Sequence, residues 1–239
     1  MYLLGIDLET TGIDPSSSDI IEIGYMIWDT NLSCPVKCGS YLIKINDILP
    51  EEIKNLTGIR DNYLNEFGIE LKQAIVLLSD LARKCDFLVG HNAVEFDRKY
   101  LSKACKEYSI EFPQKYWIDT MIDIPYPNSI KTRKLDYLAV EHNISVVVAH
   151  RAVFDIRTTM QILSKYDIHK IIERAKTGFI KLIAKVSYED RAKASTQGFK
   201  WDSKNKIWFK VLRIYDAKNI QFDFPVDSEV VENQGIVGC

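Results

Sequence analysis

Tyr2-Leu3-Leu4-Gly5-Ile6-Asp7-Leu8-Glu9 is the stretch on which the reading of this chain turns. Its apolar and branched residues predict a central strand over residues 2–9, and the alternation of side chains along a strand puts Asp7 and Glu9 on one face. Two acids inside a strand that is apolar on both sides are costly unless a cation neutralises them, and a divalent metal is the natural remedy. Thr10-Thr11-Gly12-Ile13-Asp14-Pro15 follows at once. These turn formers leave the acids at an open strand end. Alone, the pair is weak, because surface strands carry such pairs often.

Two further segments strengthen it. His91-Asn92-Ala93-Val94-Glu95-Phe96-Asp97 follows the apolar run Phe87-Leu88-Val89-Gly90 and precedes Tyr100, Leu101 and Ala104. On a helix those three stand at i+3, i+4 and i+7 from Asp97, so its carboxylate lies on the apolar stripe, where a solvated acid does not belong. His150-Arg151-Ala152-Val153-Phe154-Asp155 opens a second such helix, with Thr159, Ile162 and Tyr166 continuing the Asp155 face. On one regular helix His150 and Asp155 stand about 140° apart. His150 is therefore expected in the preceding loop, where its imidazole swings over a metal held by Asp155 and serves as a general base.

In this order D-x-E-T-T-G, H-N-x3-F-D and H-x4-D resemble the DEDDh 3'-5' exonucleases, in particular the proofreading (epsilon) subunit of bacterial DNA polymerase III. The resemblance covers residues 1–168 and takes in Trp117-Ile118-Asp119-Thr120 and Leu135-Asp136-Tyr137-Leu138-Ala139 as supporting segments. It implies an α/β, ribonuclease H-like mixed sheet flanked by helices. It further implies that Asp7, Glu9, Asp97 and Asp155 bind two Mg²⁺ ions, that Mn²⁺ substitutes, and that His150 deprotonates the attacking water. Thr10 and the Leu8 backbone are expected at the terminal nucleotide, with Asn92 and Phe96 helping to hold it. The plain alternatives are a turn residue for Asn92 and a core aromatic for Phe96. Phosphodiester hydrolysis accounts for the residue types, since two ions about 3.5–4 Å apart supply a nucleophile and relieve charge on the leaving oxygen. Hard oxygen donors suit Mg²⁺, and the lack of Cys/His clusters argues against zinc.

The 239 residues, 46% hydrophobic, suffice for one substantial domain and a smaller companion. No apolar run reaches the 18 residues of a membrane span and residues 1–4 lack the basic start of a signal peptide, so no membrane association and a cytoplasmic location are expected. Five scattered cysteines predict reduced thiols, with Cys34 and Cys38 flanking a hairpin turn at Pro35. The net charge of −2 is unevenly distributed. Residues 170–218 carry 13 Lys/Arg against 5 Asp/Glu, a basic island that suggests contact with a polyanion.

Further strands are expected at 20–28, 39–45, 87–90 and 116–119, and helices at 50–58 and 68–84. Lys131, Arg133 and Lys134 either touch substrate phosphates or lie on a solvated loop. After a linker at 169–178, residues 179–225 predict a small basic α+β module: a strand at 179–186, a short helix ended by Gly198, and a hairpin around 202–206. Ala192-Lys193 through Gly198-Phe199-Lys200-Trp201-Asp202 and on to Lys206 and Trp208 resembles a module appended to some bacterial exonucleases of this family, with Ala194 and Ser195 departing from its pattern. Trp201 and Trp208 are expected as its core, base stacking being the alternative. Residues 226–239 read as an acidic tail. Gln221-Phe222-Asp223-Phe224-Pro225 loosely resembles a sliding-clamp-binding peptide, against a closing strand of the module.

The expected activity is metal-dependent release of nucleoside 5'-monophosphates from single-stranded 3' ends of DNA in proofreading or repair, with a replication or repair partner in trans. An exoribonuclease acting on RNA ends is the near alternative. A non-catalytic nucleic-acid-binding protein on the same fold is the distant one, and its signature, a lost metal ligand, is missing from the sequence.

Overall fold

The computed structural model describes residues 1–218 and 220–231. They fall into two compact units, Met1–Ile172 and Glu173–Gly235, the second described as far as Val231.

The first unit is built on β1 (Tyr2–Thr10), β2 (Ile20–Asp29), β3 (Cys34–Leu42), β4 (Phe87–Gly90) and β5 (Trp117–Asp119). Their order in the sheet is β3-β2-β1-β4-β5; β1 to β3 form an antiparallel meander, and β4 and β5 add parallel to β1. Parallel strands need crossovers, and helices supply them. α1 (Glu51–Thr57), α2 (Asp61–Phe67) and α3 (Leu71–Arg83) precede β4, α4 (Asp97–Tyr108) links it to β5, and α5 (Thr120–Asp123), α6 (Leu135–Glu141) and α7 (Ala152–Leu163) follow. Leu3, Leu4, Ile6, Ile23, Leu88, Val89 and Ile118 are all buried, so the strands at the middle of the sheet are apolar on both faces. This is the mixed, helix-flanked sheet of the ribonuclease H-like class.

Gly24 fixes how α7 meets the sheet. A Cβ there would lie 2.4 Å from the Ala152 carbonyl carbon and 2.6 Å from the Val153 nitrogen, so only glycine lets β2 touch the backbone of the first turn of α7. Backbone cannot swing aside as a side chain can. Gly24→Ala is expected to cost about 1–3 kcal/mol through overpacking, seen as a melting point lowered by several degrees, and to lower hydrolysis with it by displacing α7. An unchanged melting point would mean that β2 and α7 are less tightly pressed.

Three expectations are corrected. Cys34 and Cys38 do not flank a turn but lie within β3, and the chain reverses earlier, at Thr30–Ser33, where Ser33 takes a positive φ of 51°. Pro35 looked like a turn residue, yet β3 is the edge of the sheet, where a missing N–H is tolerated. Most of the expected linker is helix α8 (Ile168–Ala175). Residues 226–231 are not tail but strand β9 (Val226–Val231); 232–239 lie outside the described residues. Cys34, Cys38, Cys85 and Cys105 are free thiols, and no helix among the described residues is long and apolar enough to cross a membrane.

In the second unit β6 (Phe179–Ala184), β7 (Lys200–Asp202), β8 (Ile207–Arg213) and β9 form an antiparallel sheet of order β7-β8-β6-β9, with α9 (Arg191–Thr196) and α10 (Ile214–Ala217). Leu182, Ala184, Ala194, Phe199 and Leu212 are its buried core. Phe222 and Phe224 pack edge-on against Phe199, so the aromatics of the supposed clamp peptide are committed to this core, and the closing strand starts one residue beyond it. β9 also tempers the basic island: Glu229 pairs with Lys181 and Asp227 with Lys185, both at 2.8 Å. Trp208 is partly buried against the core, but Trp201 stays half exposed and is no core residue.

Candidate active site

The site grows from the ends of β1, α4 and α7. Asp7 and Glu9 share a face of β1, and an irregularity in the pairing with β2 falls between Glu9 and Thr10, where the strand stops. Asp97 is the first residue of α4 and is 2% exposed, with Tyr100, Leu101 and Ala104 buried along the same stripe. Asp155 lies in the first turn of α7, and its Oδ2 accepts a hydrogen bond of 3.0 Å from the His150 N–H, closing the preceding loop onto the helix. His150 itself is exposed, with φ 58°. Glu9, His150 and Asp155 each offer a ligand atom within 4.8 Å of the others.

Asp7 and Asp97 fall outside that tight trio, but their electrostatics join it. Burial, then the charges of Asp97, Glu9 and Asp155, hold the Asp7 carboxyl well above the usual carboxylate range. Burial first, then Asp155, Glu22 and Asp97, push Glu9 up to about 8. Asp97 reaches about 8, again chiefly through burial, and Asp155 is raised for the same reason. Asp97 Oδ1 is buried without a hydrogen-bond partner. Charge repulsion couples Asp7 to Glu9, Asp97 and Asp155, and Arg151 offsets it only at Glu9, so the acids are short of positive charge; oxygen donors with one imidazole suit a hard divalent cation.

The substrate-binding expectations fare unevenly. Thr10 is buried and its hydroxyl donates to the Gly12 carbonyl, which also accepts from the Tyr100 hydroxyl at 2.8 Å. Asn92 sits in the left-handed region at φ 63°, and its backbone N–H donates to Asp119 Oδ1 at 2.9 Å rather than its side chain bonding its own backbone. Phe96 is half-buried rather than core, its ring 5.0 Å from that of Tyr100. Arg133 donates to the Met121 carbonyl at 2.5 Å and lies over the Tyr126 ring, so its guanidinium is engaged within the protein.

Asp119 supports the segment before Asp97. Fully buried, it accepts from the N–H groups of Asn92, Val94 and Met121 at 2.9–3.1 Å, while burial pushes it up to about 6. Sequence reasoning missed Glu22 and Arg151. Glu22 lies opposite Glu9 in the antiparallel pair and is wholly buried. Arg151 grips it with Nε at 3.1 Å and Nη2 at 3.0 Å, and the Ala152 N–H adds a third bond at 3.1 Å. This clamp anchors the chain immediately after His150. The available signal was an acid in the middle of the apolar run Ile20-Ile21-Glu22-Ile23.

Comparison with known proteins adds a second line of support. The 3'-5' exonuclease DinG of Staphylococcus aureus is 29% identical over 228 residues, which are 95% of this chain and 23% of that relative. This chain thus spans about a quarter of the relative's length. Two solved structures share the fold: the nuclease domain of 3'hExo, a DEDDh family member bound to rAMP, at TM-score 0.58 and 19% identity over 69% of this chain and 90% of that one, and the Escherichia coli exonuclease I–single-stranded DNA complex, at 0.65 and 12% over 99% and 64%. Residues 181–228 match a domain of unknown function. Residues 4–163, which hold every acid from Asp7 to Asp155, match the model of the Exonuclease family, and the chain belongs to that family.

Proposed function

We propose that the chain is a divalent-cation-dependent 3'-5' exonuclease that releases nucleoside 5'-monophosphates from single-stranded 3' ends of DNA. The observation that carries this reading is the set of four mutually repelling acids, Asp7, Glu9, Asp97 and Asp155, beside a loop histidine. These acids would hold two Mg²⁺ ions, with Mn²⁺ able to replace them. Bound there, the ions supply a nucleophile at neutral pH and stabilise the leaving 3' oxygen. His150, on an exposed loop within reach of Glu9 and Asp155, takes the proton from the attacking water. Asp155 steadies that loop through the His150 N–H, and Arg151, locked onto Glu22, anchors it from the other side. Phe96, half-buried, and the backbone around Leu8 and Thr10 meet the terminal nucleotide.

The name of the DinG relative and the single-stranded DNA in the exonuclease I complex support the polarity and the substrate. The ribonucleotide bound by 3'hExo favours a second reading, an exoribonuclease, which differs only in contacts to the 2'-hydroxyl. A cytoplasmic repair enzyme and a proofreading subunit acting with a polymerase in trans both fit this chemistry.

End-labelled DNA and RNA oligonucleotides, each incubated with Mg²⁺ or with EDTA, test the reading. DNA should shorten stepwise from the 3' end, and only with metal; hydrolysis of RNA alone would transfer the assignment to the second reading. His150→Ala should retain a small activity that rises with pH, because hydroxide replaces the missing base. A flat pH dependence in that variant would remove His150 as the base.

A further inference from the structure

Tyr188, Trp201 and Trp208 line a groove of about 910 Å³ in the second unit, within the size range of ligand sites. Trp201 on β7 and Trp208 on β8 are directly opposite each other in the sheet, their rings 5.6 Å apart and inclined by 51°. The next residue in that row, Ala184 on β6, is small, so nothing bulky continues the aromatic row. Tyr188, from the segment before α9, lies across the groove with the Arg191 guanidinium 3.8 Å from its ring centre. A unit this small needs large side chains inside. Yet Tyr188 is 75% exposed and Trp201 50% exposed, while Phe199, Phe222 and Phe224 build the core. The faces of Tyr188 and Trp201 are left over from folding, while Trp208 packs partly against the core.

The charged residues that line the groove, Lys185, Arg191 and Lys206, are all basic. Lys206 lines the groove, and Lys200, Lys204 and Lys206 of the β7–β8 hairpin are exposed, with no ion-pair partner among the described residues. Asp202, the acid of that hairpin, is turned onto its own loop, where it accepts from the Lys204 N–H and from Asn205. Flat π faces beside free cations match a single-stranded nucleic acid, whose bases stack on rings of any sequence while its phosphates meet lysines. We infer that this groove is a second, non-catalytic binding site for single-stranded nucleic acid, stacking bases on Trp201 and Tyr188 and pairing phosphates with Lys206 and its hairpin neighbours. The inference rests on the proposed action on single strands. It assigns to the module a grip that is separate from the acids of the first unit.

The test is fluorescence anisotropy of 5'-labelled (dT)12 and (U)12 with the full chain in EDTA, where hydrolysis does not intervene. Trp201→Ala and Tyr188→Ala should each weaken binding at least about fivefold, since one stacked base accounts for that much or more. The double variant should multiply the losses, Trp201→Phe should lose less, and Lys206→Glu should flatten the salt dependence. Preference for (dT)12 or (U)12 tells which strand the groove serves. All variants should hydrolyse the p-nitrophenyl ester of thymidine 5'-monophosphate with Mn²⁺ as the wild type does. Oligonucleotide affinity within twofold of wild type in the double variant, alongside active ester hydrolysis, would overturn the inference. So would a proline-rich peptide that quenches the tryptophans where (dT)12 does not. If the wild type fails to hydrolyse the ester and the oligonucleotides, the proposed function falls, and the anisotropy series still decides the groove.

Discussion

Asp7→Asn is expected to abolish hydrolysis while making the metal-free protein more stable. The loss of rate follows from charge: a metal ion's stabilisation of the transition state amounts to several kcal/mol, so losing a ligand lowers the rate by about 10³-fold or more. The gain in stability follows from proton linkage. Asp7, Glu9 and Asp97 are held above their ordinary values in the folded chain, Glu9 and Asp97 at about 8, whereas unfolded Asp and Glu titrate near about 4. The folded state therefore holds these protons more tightly. Its stability from these groups is full below about pH 4 and drains away as pH rises towards 8. Asn has the shape of Asp without the charge, so in EDTA at pH 8 the variant should melt about 3–6 °C above wild type, roughly 1–2 kcal/mol for a chain of this size. Wild type should in turn gain more from Mg²⁺ at pH 8 than at pH 6, because cation binding displaces protons. Melting curves in EDTA and Mg²⁺ at both pH values check this. A variant that melts below wild type in EDTA would show that the acids do not repel one another as their burial dictates.

Arg151→Ala is expected to be the most damaging change outside the acids. It leaves Glu22, wholly buried on β2, with the Ala152 N–H in place of two guanidinium bonds and a counter-charge. Removing one partner of a buried pair costs about 3–5 kcal/mol. The Arg151 side chain is 31% exposed, which points to the lower end, and a loss of about 3 kcal/mol lowers the melting point by about 6–12 °C. Hydrolysis should fall even at temperatures where the fold survives, since His150 precedes the released residue. Glu22→Gln in the same chain should recover more than half of the lost stability, because a neutral amide still accepts from Ala152. If Arg151→Ala melts within about a degree of wild type, the clamp has no structural role.

What the sequence revealed follows the range of the interactions involved. The acids of β1 were legible because alternation along a strand is local, and Asp97 and Asp155 because each lies in the first turn of an amphipathic helix, although Tyr166, read as part of the Asp155 face, lies beyond the end of α7 at Leu163. Gly58 was read as the end of α1, and it closes that helix at φ 72°. The Glu22–Arg151 clamp joins residues 129 positions apart, and no local pattern predicts such a pair. β9 was hidden for a related reason: Asp227 and Glu229 resemble a solvated tail until β6 brings Lys185 and Lys181 alongside. Trp201 misled through composition, since the core it was expected to fill is built by phenylalanines from both sides of the hairpin.

Calorimetric titration of Mn²⁺ into the full chain tests most directly whether the converging acids form a cation site. Two ions per chain are predicted, with protons released in greater number at pH 6.5 than would leave ordinary carboxylates, and with binding greatly weakened in Asp7→Asn and Asp155→Asn. Absence of saturable binding, or binding that both substitutions leave unchanged, would contradict the account.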